Sequence, residues 1–400
     1  MATQKRDLRT GRTVWQLARL PPTPHRPLKD DAETEVLVIG AGISGAMIAE
    51  ALAGDGHGVM VVDRRGPLKG STAASTALIQ YEVDMPLTRL SKSIGEADAV
   101  RAWRRSVLAV RALSAKAREL GCPLAPRDSL YLAGDVLDAK ALAAEGEARR
   151  AAGIETAILD RRQVRERFGI SRDAALLGYD NLSGDPRRLA AAFLRAAAEA
   201  GADVRAPVEV TEVDAGATRI VARTRDGRKI RCRRLVFATG YEVPDGVSKA
   251  GHDIVSTYAL ATVPQRRALW PEQCFIWEAS DPYLYLRTTP EGRVVCGGED
   301  EPFSDEETRD ALLEKKTATL RRKLGKLLPG LDTTVDCAWT GSFGTTATGL
   351  PRIGPVPGMK NCWAALGYGG NGITYSRIAA ELIRTSFAGG RDPDADLYAL

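Results

Sequence analysis

The chain has 400 residues, 44% of them hydrophobic and 27% charged, with a formal net charge of +5. That length exceeds one small core, so two domains are expected, and the scattered basic residues give no footprint for nucleic acid. No apolar run reaches the roughly 18 residues of a membrane span, and six widely spaced cysteines without a C-x-x-C pair suit reduced thiols rather than a disulfide framework or a metal site.

Residues 1–31 form a Pro- and Arg-rich arm in which Pro21, Pro22, Pro24 and Pro27 exclude a continuous helix. Trp15, Leu17 and Leu20 are its candidate anchors. Its start is polar and lacks the apolar core of a secretory signal, so a cytoplasmic location is expected.

The most informative stretch runs from Val36 to Asp63. Four apolar residues, Val36 to Ile39, suit a strand buried on both faces of a parallel sheet. Gly40-Ala41-Gly42-Ile43-Ser44-Gly45 then forms a G-x-G-x-x-G turn into a helix. The first glycine permits the tight turn, the second lets backbone approach a pyrophosphate, and the third allows close helix–strand packing. Helix N-terminal amides favour that anion. A second strand, Val59 to Val62, ends in Asp63, a carboxylate suited to ribose hydroxyls. Arg64-Arg65 and the small, hydroxyl-rich Gly70–Thr76 follow, the latter open to close approach by a ligand.

Spacing predicts an amphipathic helix over Gly95–Leu120, with Trp103 in the core, and another over Asp138–Ala152; together they read as a helical insert. Asp185-Pro186 predicts an N-cap and a first helical turn. Strands are expected at Val204–Val213, Arg219–Arg225 and Lys229–Cys232, the last two joined by Asp226-Gly227. The apolar Leu235–Gly240 returns the chain to the nucleotide half. Residues 253–300 alternate like an antiparallel sheet. Ser304…Glu307 reads as a capping box opening a helix to Leu328. Finally, strand Cys362–Leu366 enters the glycine-rich turn Gly367–Thr374 and a last helix, again offering N-terminal amides.

Taken in order, VIGAGISG, VVDRR, GSTAAST, the DPRRL helix, VFATG, YLYLRTTPEGRVVCGG, GLPRIGPVP and LGYGGNGITYS resemble the D-amino-acid oxidase superfamily of FAD-dependent amine and amino-acid oxidoreductases, which includes glycine, sarcosine and gamma-glutamylputrescine oxidases. The resemblance covers about residues 12–387. It implies an α/β fold: a Rossmann-type FAD-binding domain (32–84, 185–250, 339–390) interleaved with an antiparallel-sheet plus helix substrate domain (85–184, 251–338). It implies non-covalent FAD, because no cysteine stands at the position matching the covalently flavinylated members, near Gly341 and Ser342. The implied cofactor contacts are Gly40, Gly42, Ile43, Ser44, Gly45, Asp63, Arg64, Arg65, Gly70, Ser71, Thr72, Ala74, Val208, Thr239, Gly240, Gly369, Gly370, Asn371, Gly372, Ile373 and Thr374.

The activity implied is hydride transfer from the amine-bearing carbon of a small amine or amino acid to the flavin. Electrons then pass to O2 or another acceptor. Amino-acid oxidases of the family carry an arginine for the substrate carboxylate in the stretch matching Ala338–Thr346, which here has none. Either Arg287 or Arg352 substitutes, or the substrate lacks that carboxylate. Tyr258, Arg287 and Tyr368 are the expected substrate-site residues. Trp277, Tyr283, Tyr285, Trp339 and Phe343 are further aromatics from segments expected to face the flavin, some of them core; His252 is the one histidine in a segment approaching the substrate, and a surface or structural role is the favoured reading for it. A non-catalytic FAD-binding subunit of a larger complex is the rival reading, and a homo-oligomer is compatible with either.

Overall fold

A computed structural model describes residues 6–20, 22–216, 218–249 and 251–400; residues 1–5 and Pro21 of the arm, and positions 217 and 250, lie outside the described residues. Strand β1 (Ala32–Ile39) enters helix α1 (Ile43–Gly54), which is apolar nearly all round and correspondingly buried, and β2 (Val59–Val62) lies parallel beside β1. Gly45 explains the tight β1–α1 join: a Cβ there would stand 1.8 Å from Gly40 O.

Strand β3 (Leu78–Ile79) leads to α2 (Leu87–Ile94) and α3 (Glu96–Glu119), with Trp103 fully buried. The next stretch departs from the expected helical insert. Strands β4 (Ala125–Leu132), β5 (Thr156–Asp160) and β6 (Ala174–Ser183) alternate with α4 (Ala139–Ala151) and α5 (Arg161–Phe168). These strands are held by long-range pairings, β6 with both β4 and β5 among them, which helix periodicity cannot register.

Helix α6 (Pro186–Glu199) begins where Asp185 Oδ1 accepts from Arg187 N at 2.8 Å. The strand expected over Val204–Val213 is two, β7 (Asp203–Arg205) and β8 (Val210–Ala215), divided at Pro207, which has no N–H to give a ladder. β9 (Ile220–Thr224) turns into β10 (Lys229–Gly240), and β11 (His252–Thr262), β12 (Phe275–Glu278), β13 (Leu284–Thr288) and β14 (Val294–Glu301) follow. The expected single helix from Ser304 is two, α7 (Glu306–Ala311) and α8 (Leu313–Leu327), and Asp305 rather than Ser304 caps it by accepting from Thr308 N at 2.8 Å. β15 (Val335–Thr346), β16 (Arg352–Pro355), β17 (Cys362–Leu366) and α9 (Gly372–Phe387) complete the chain.

Two sheets result. The first has the order β16-β17-β10-β1-β2-β7, parallel from β17 to β7, with β8 and β9 attached beside β10; α1 packs on it against α6 and α9. The second runs β15-β11-β14-β13-β12-β4-β6-β3, with β5 on β6 and only the β12–β4 pairing parallel. The chain boundary expected at 338/339 falls inside β15, which pairs with β11 along its length, so 339–346 belongs to the second sheet. The arm lies against the outer edge of β15: Arg12 N donates to Ala338 O, and Leu8 O accepts from Ser342 N. Trp15 is buried and donates to Ser75 O at 2.7 Å.

Candidate active site

A cavity of about 650 Å³ runs from the mouth of the first sheet to the inner face of the second. At one end stand Gly40, Gly42, Ile43, Ser44, Asp63, Arg64, Arg65, Val208, Thr239 and Gly240; Gly70, Ser71, Thr72 and Ala74 continue the wall, and Gly369–Ile373 close one side. Sequence motifs separated by more than 300 residues thus meet around one space. Gly45 and Thr374 do not line it. Gly45 is the close-packing position described above, and Thr374 Oγ1 donates to Gln80 O at 2.7 Å, fastening α9 to the segment after β3.

Asp63 shows how tightly this end is built. Its Oδ2 accepts from Ala41 N at 2.9 Å, and its Oδ1 accepts from Arg65 N and Gly66 N at 2.8 and 2.9 Å. Burial pushes its carboxyl up, against those amides. Arg64 and Arg65 converge on the buried Glu242, a residue the motif reading did not find because it lies 177 positions beyond Arg65. Two indole donors hold the hydroxyl-rich segment in place, Trp15 to Ser75 O and Trp339 Nε1 to Ala74 O at 2.9 Å.

These residues fit FAD on a physical test. A Cβ at Gly42 would meet only Thr72 Oγ1, at 3.2 Å, so the missing side chain leaves the helix N-terminus open to the cavity. Ser71 Oγ is buried beside that opening with no hydrogen-bond partner among the described residues, a donor awaiting an oxygen. None of the six cysteines lines the cavity.

The other end is walled by the second sheet, where alternation decides which side chains enter. Trp277 and its register partner Tyr131 stack with centroids 3.7 Å apart. Tyr283 and Tyr285 lie 5.6 Å apart, and Gly297 is bare because a Cβ there would stand 2.3 Å from Tyr285 Oη. Trp339 and Phe343 also line the space.

The expected substrate residues fare differently. Tyr368 lines the cavity, with its Oη lacking a partner among the described residues. Tyr258 borders it, but the pleat turns its ring to the opposite face, into the cluster with Leu320 and Leu324 and 5.6 Å below Lys316 Nζ. Arg287 does not reach the cavity. Its Nη1 donates to the carbonyls of Ala77 (2.7 Å) and Gly184 (3.0 Å), and its guanidinium lies over the Trp15 ring. Arg352 donates to Ser248 O, outside the cavity, and His252 also stands outside it, its imidazole pushed down by burial.

Carboxylates that no motif announced take their place. Glu82, Asp84 and Asp300 all line the inner end. Asp84 faces the cavity while protein encloses it, its Oδ2 accepting from Gly370 N at 2.8 Å and its Oδ1 from Asn371 Nδ2 at 3.0 Å. Burial raises its carboxyl. Burial also pushes the Asp300 carboxyl up to about 6, with Thr257 and Tyr283 opposing and Asp84 adding to the shift. Glu82 sits over Gly178, where a Cβ would meet its Oε1 at 2.4 Å.

This architecture is that of an FAD-dependent oxidoreductase, and the chain belongs to that family: the model described as "DAO: FAD dependent oxidoreductase" matches residues 35–385. Among curated proteins, the putative Rieske 2Fe-2S iron-sulfur protein YhfW of Bacillus subtilis is 23% identical over 96% of this chain and 74% of its own length. Glycine oxidase of Pseudomonas putida is 27% identical over 40% of this chain and 47% of its own. The crystal structure of glycine oxidase from Geobacillus kaustophilus shares the fold, with a TM-score of 0.75 at 20% identity, over 90% of this chain and 96% of that one. No helix among the described residues is long and apolar enough to cross a membrane.

Proposed function

We propose that this protein oxidises a small amine, one without a carboxylate beside the reacting carbon, at the inner end of the cavity. The carrying observation is the charge of that end. Among the described residues, the cationic side chains lining the cavity are Arg64 and Arg65, both engaged by Glu242, and Arg89, which donates to Val136 O; the inner wall is aromatic and acidic. A buried substrate carboxylate would meet like charge there without a bidentate partner.

The chain's own parts divide the work. Gly40, Gly42, Ile43, Ser44 and Gly45, with Asp63, Arg64, Arg65, Val208, Thr239 and Gly240, form the dinucleotide end. Gly70, Ser71, Thr72 and Ala74 flank the middle. Gly369–Thr374 present the start of α9, whose N-terminal amides would favour negative charge on a flavin ring held there. When bound, FAD supplies the hydride acceptor and passes the two electrons on. On the substrate, the C–H bond breaks with its electron pair while the nitrogen lone pair closes a C=N bond; water then adds, and ammonia or an amine leaves a carbonyl compound. Tyr368, Trp277, Tyr283 and Tyr285 wall the reacting carbon from bulk water. In this reading 32–84, 185–250 and 347–390 form the FAD-binding half and the remainder the substrate half, the flavin is held without a covalent bond, and the protein works in the cytoplasm.

O2 is the proposed acceptor, giving H2O2. A second reading, electron delivery to another redox centre, draws on the relative named as an iron-sulfur protein. The test is product analysis in air: an amine converted to a trapped aldehyde with equimolar H2O2 supports the oxidase, aldehyde formed only with an added acceptor supports the second reading, and carbonyl product from amino acids alone overturns the amine assignment.

A further inference from the structure

We propose that the substrate carries a second alkylammonium group besides the amine that is oxidised, held against the aromatic wall by the acid at one of its two ends, Asp300 or Glu82. This inference rests on the amine-oxidising reading above. Hydride can leave only from a carbon whose nitrogen has a free lone pair, so the reacting amine must be neutral. A carboxylate next to that nitrogen would hold it as ammonium and oppose the reaction. Carboxylates built into the chamber therefore suit a cation that does not react.

Both carboxylates have capacity for one. Glu82 is 3% exposed and borders the cavity, and its Oε2 has no hydrogen-bond partner among the described residues. Asp300 Oδ1 is likewise without one. The nearest cations leave negative charge over: Arg149 pairs with Glu145 at 2.9 Å and its single charge also acts on Glu82, so two carboxylates share one guanidinium, and Lys316 pairs with Glu299 and Glu301. Between the two acids run the rings of Tyr283, Tyr285, Trp277 and Tyr131 along adjacent strands, a surface that attracts an alkylammonium by its π faces and packs its methylenes. An α-amino acid without a basic side chain has no second cation for this arrangement, whereas a diamine or polyamine fills it.

The experiment compares n-butylamine with butane-1,4-diamine on the FAD-loaded protein, following anaerobic loss of the flavin's visible absorbance and, separately, heat of binding. One charge-assisted contact corresponds to about tenfold in half-saturating concentration. The expected result is diamine half-saturation about tenfold below the monoamine, with Asp300→Asn or Glu82→Gln drawing the two together. Equal half-saturation in the unmodified protein overturns the cation site while leaving amine oxidation intact. If no amine bleaches the flavin, the oxidation reading falls, and calorimetry alone decides the site: tighter diamine binding sustains it, equal or absent binding overturns it. A variant that fails to fold leaves the comparison in the unmodified protein decisive.

Discussion

Asp84 accepts a hydrogen bond from Gly370 N at 2.8 Å, joining two points 286 residues apart at the start of α9. With Asn371 Nδ2 on its other oxygen, this carboxylate fixes the glycine turn that the flavin ring is proposed to overlie. Asp84→Ala removes both contacts from the cavity-facing turn, a net cost of about 1 kcal/mol. Lower thermal stability together with less flavin retained per chain is the expected result, read by thermal unfolding and by absorbance after gel filtration.

Gly45→Ala introduces a Cβ at 1.8 Å from Gly40 O, a clash against backbone that no rotamer relieves. Overpacking of this kind costs about 1–3 kcal/mol or more. The variant should purify with little or no yellow colour, because the same turn carries Gly42. Full flavin content would mean that α1 does not pack as described.

Arg287 and Tyr258 separate structural roles from pocket roles. Arg287→Ala strands the carbonyls of Ala77 and Gly184 and empties a fully buried site, so it should destabilise by about 3–5 kcal/mol. Tyr258→Phe keeps the ring in its cluster and removes a hydroxyl without a partner among the described residues, so stability and kcat/KM should change little. A large rise in KM from either variant at unchanged Tm would return that residue to the substrate site.

Asp300 gives a pH signature. Its carboxyl is pushed up to about 6 by burial, so between the ordinary value of about 4 and that pH the folded chain keeps a proton the unfolded chain has lost. The stability it contributes is complete at low pH and is lost as pH rises through about 6. Asp84 and Tyr283 face it, with Lys316 behind, and none of them reverses the sign. Asp300→Asn should therefore gain on the unmodified protein by up to about 2–3 kcal/mol between about pH 4 and pH 8, measured by urea unfolding at both. A difference that does not vary with pH would mean Asp300 ionises normally.

What could be read from the sequence was local. The β1–α1–β2 turn and Asp63 carry their chemistry within about thirty residues, and Gly367–Thr374 carries it within eight, so spacing alone defines them. The side of the sheet that Tyr258 faces is different. A register shift lies between Ser256 and Tyr258 on β11, and a one-residue slip inverts inside and outside. Arg287 sits in a convincing hairpin, yet its partners at Ala77 and Gly184 lie more than 100 residues away. Asp84 and Asp300 follow ordinary strand-end sequences, and only the tertiary fold sets them at one cavity. The strands β4–β6 were hidden because amphipathic helices on either side gave the stronger period.

The central claim is that an amine reduces the bound flavin. It is tested most directly by anaerobic titration of the FAD-loaded protein with primary and secondary amines and with α-amino acids, following loss of visible absorbance. The account predicts stoichiometric bleaching by amines and none by α-amino acids at the same concentrations. Bleaching by amino acids alone, or by nothing in either class, would contradict it.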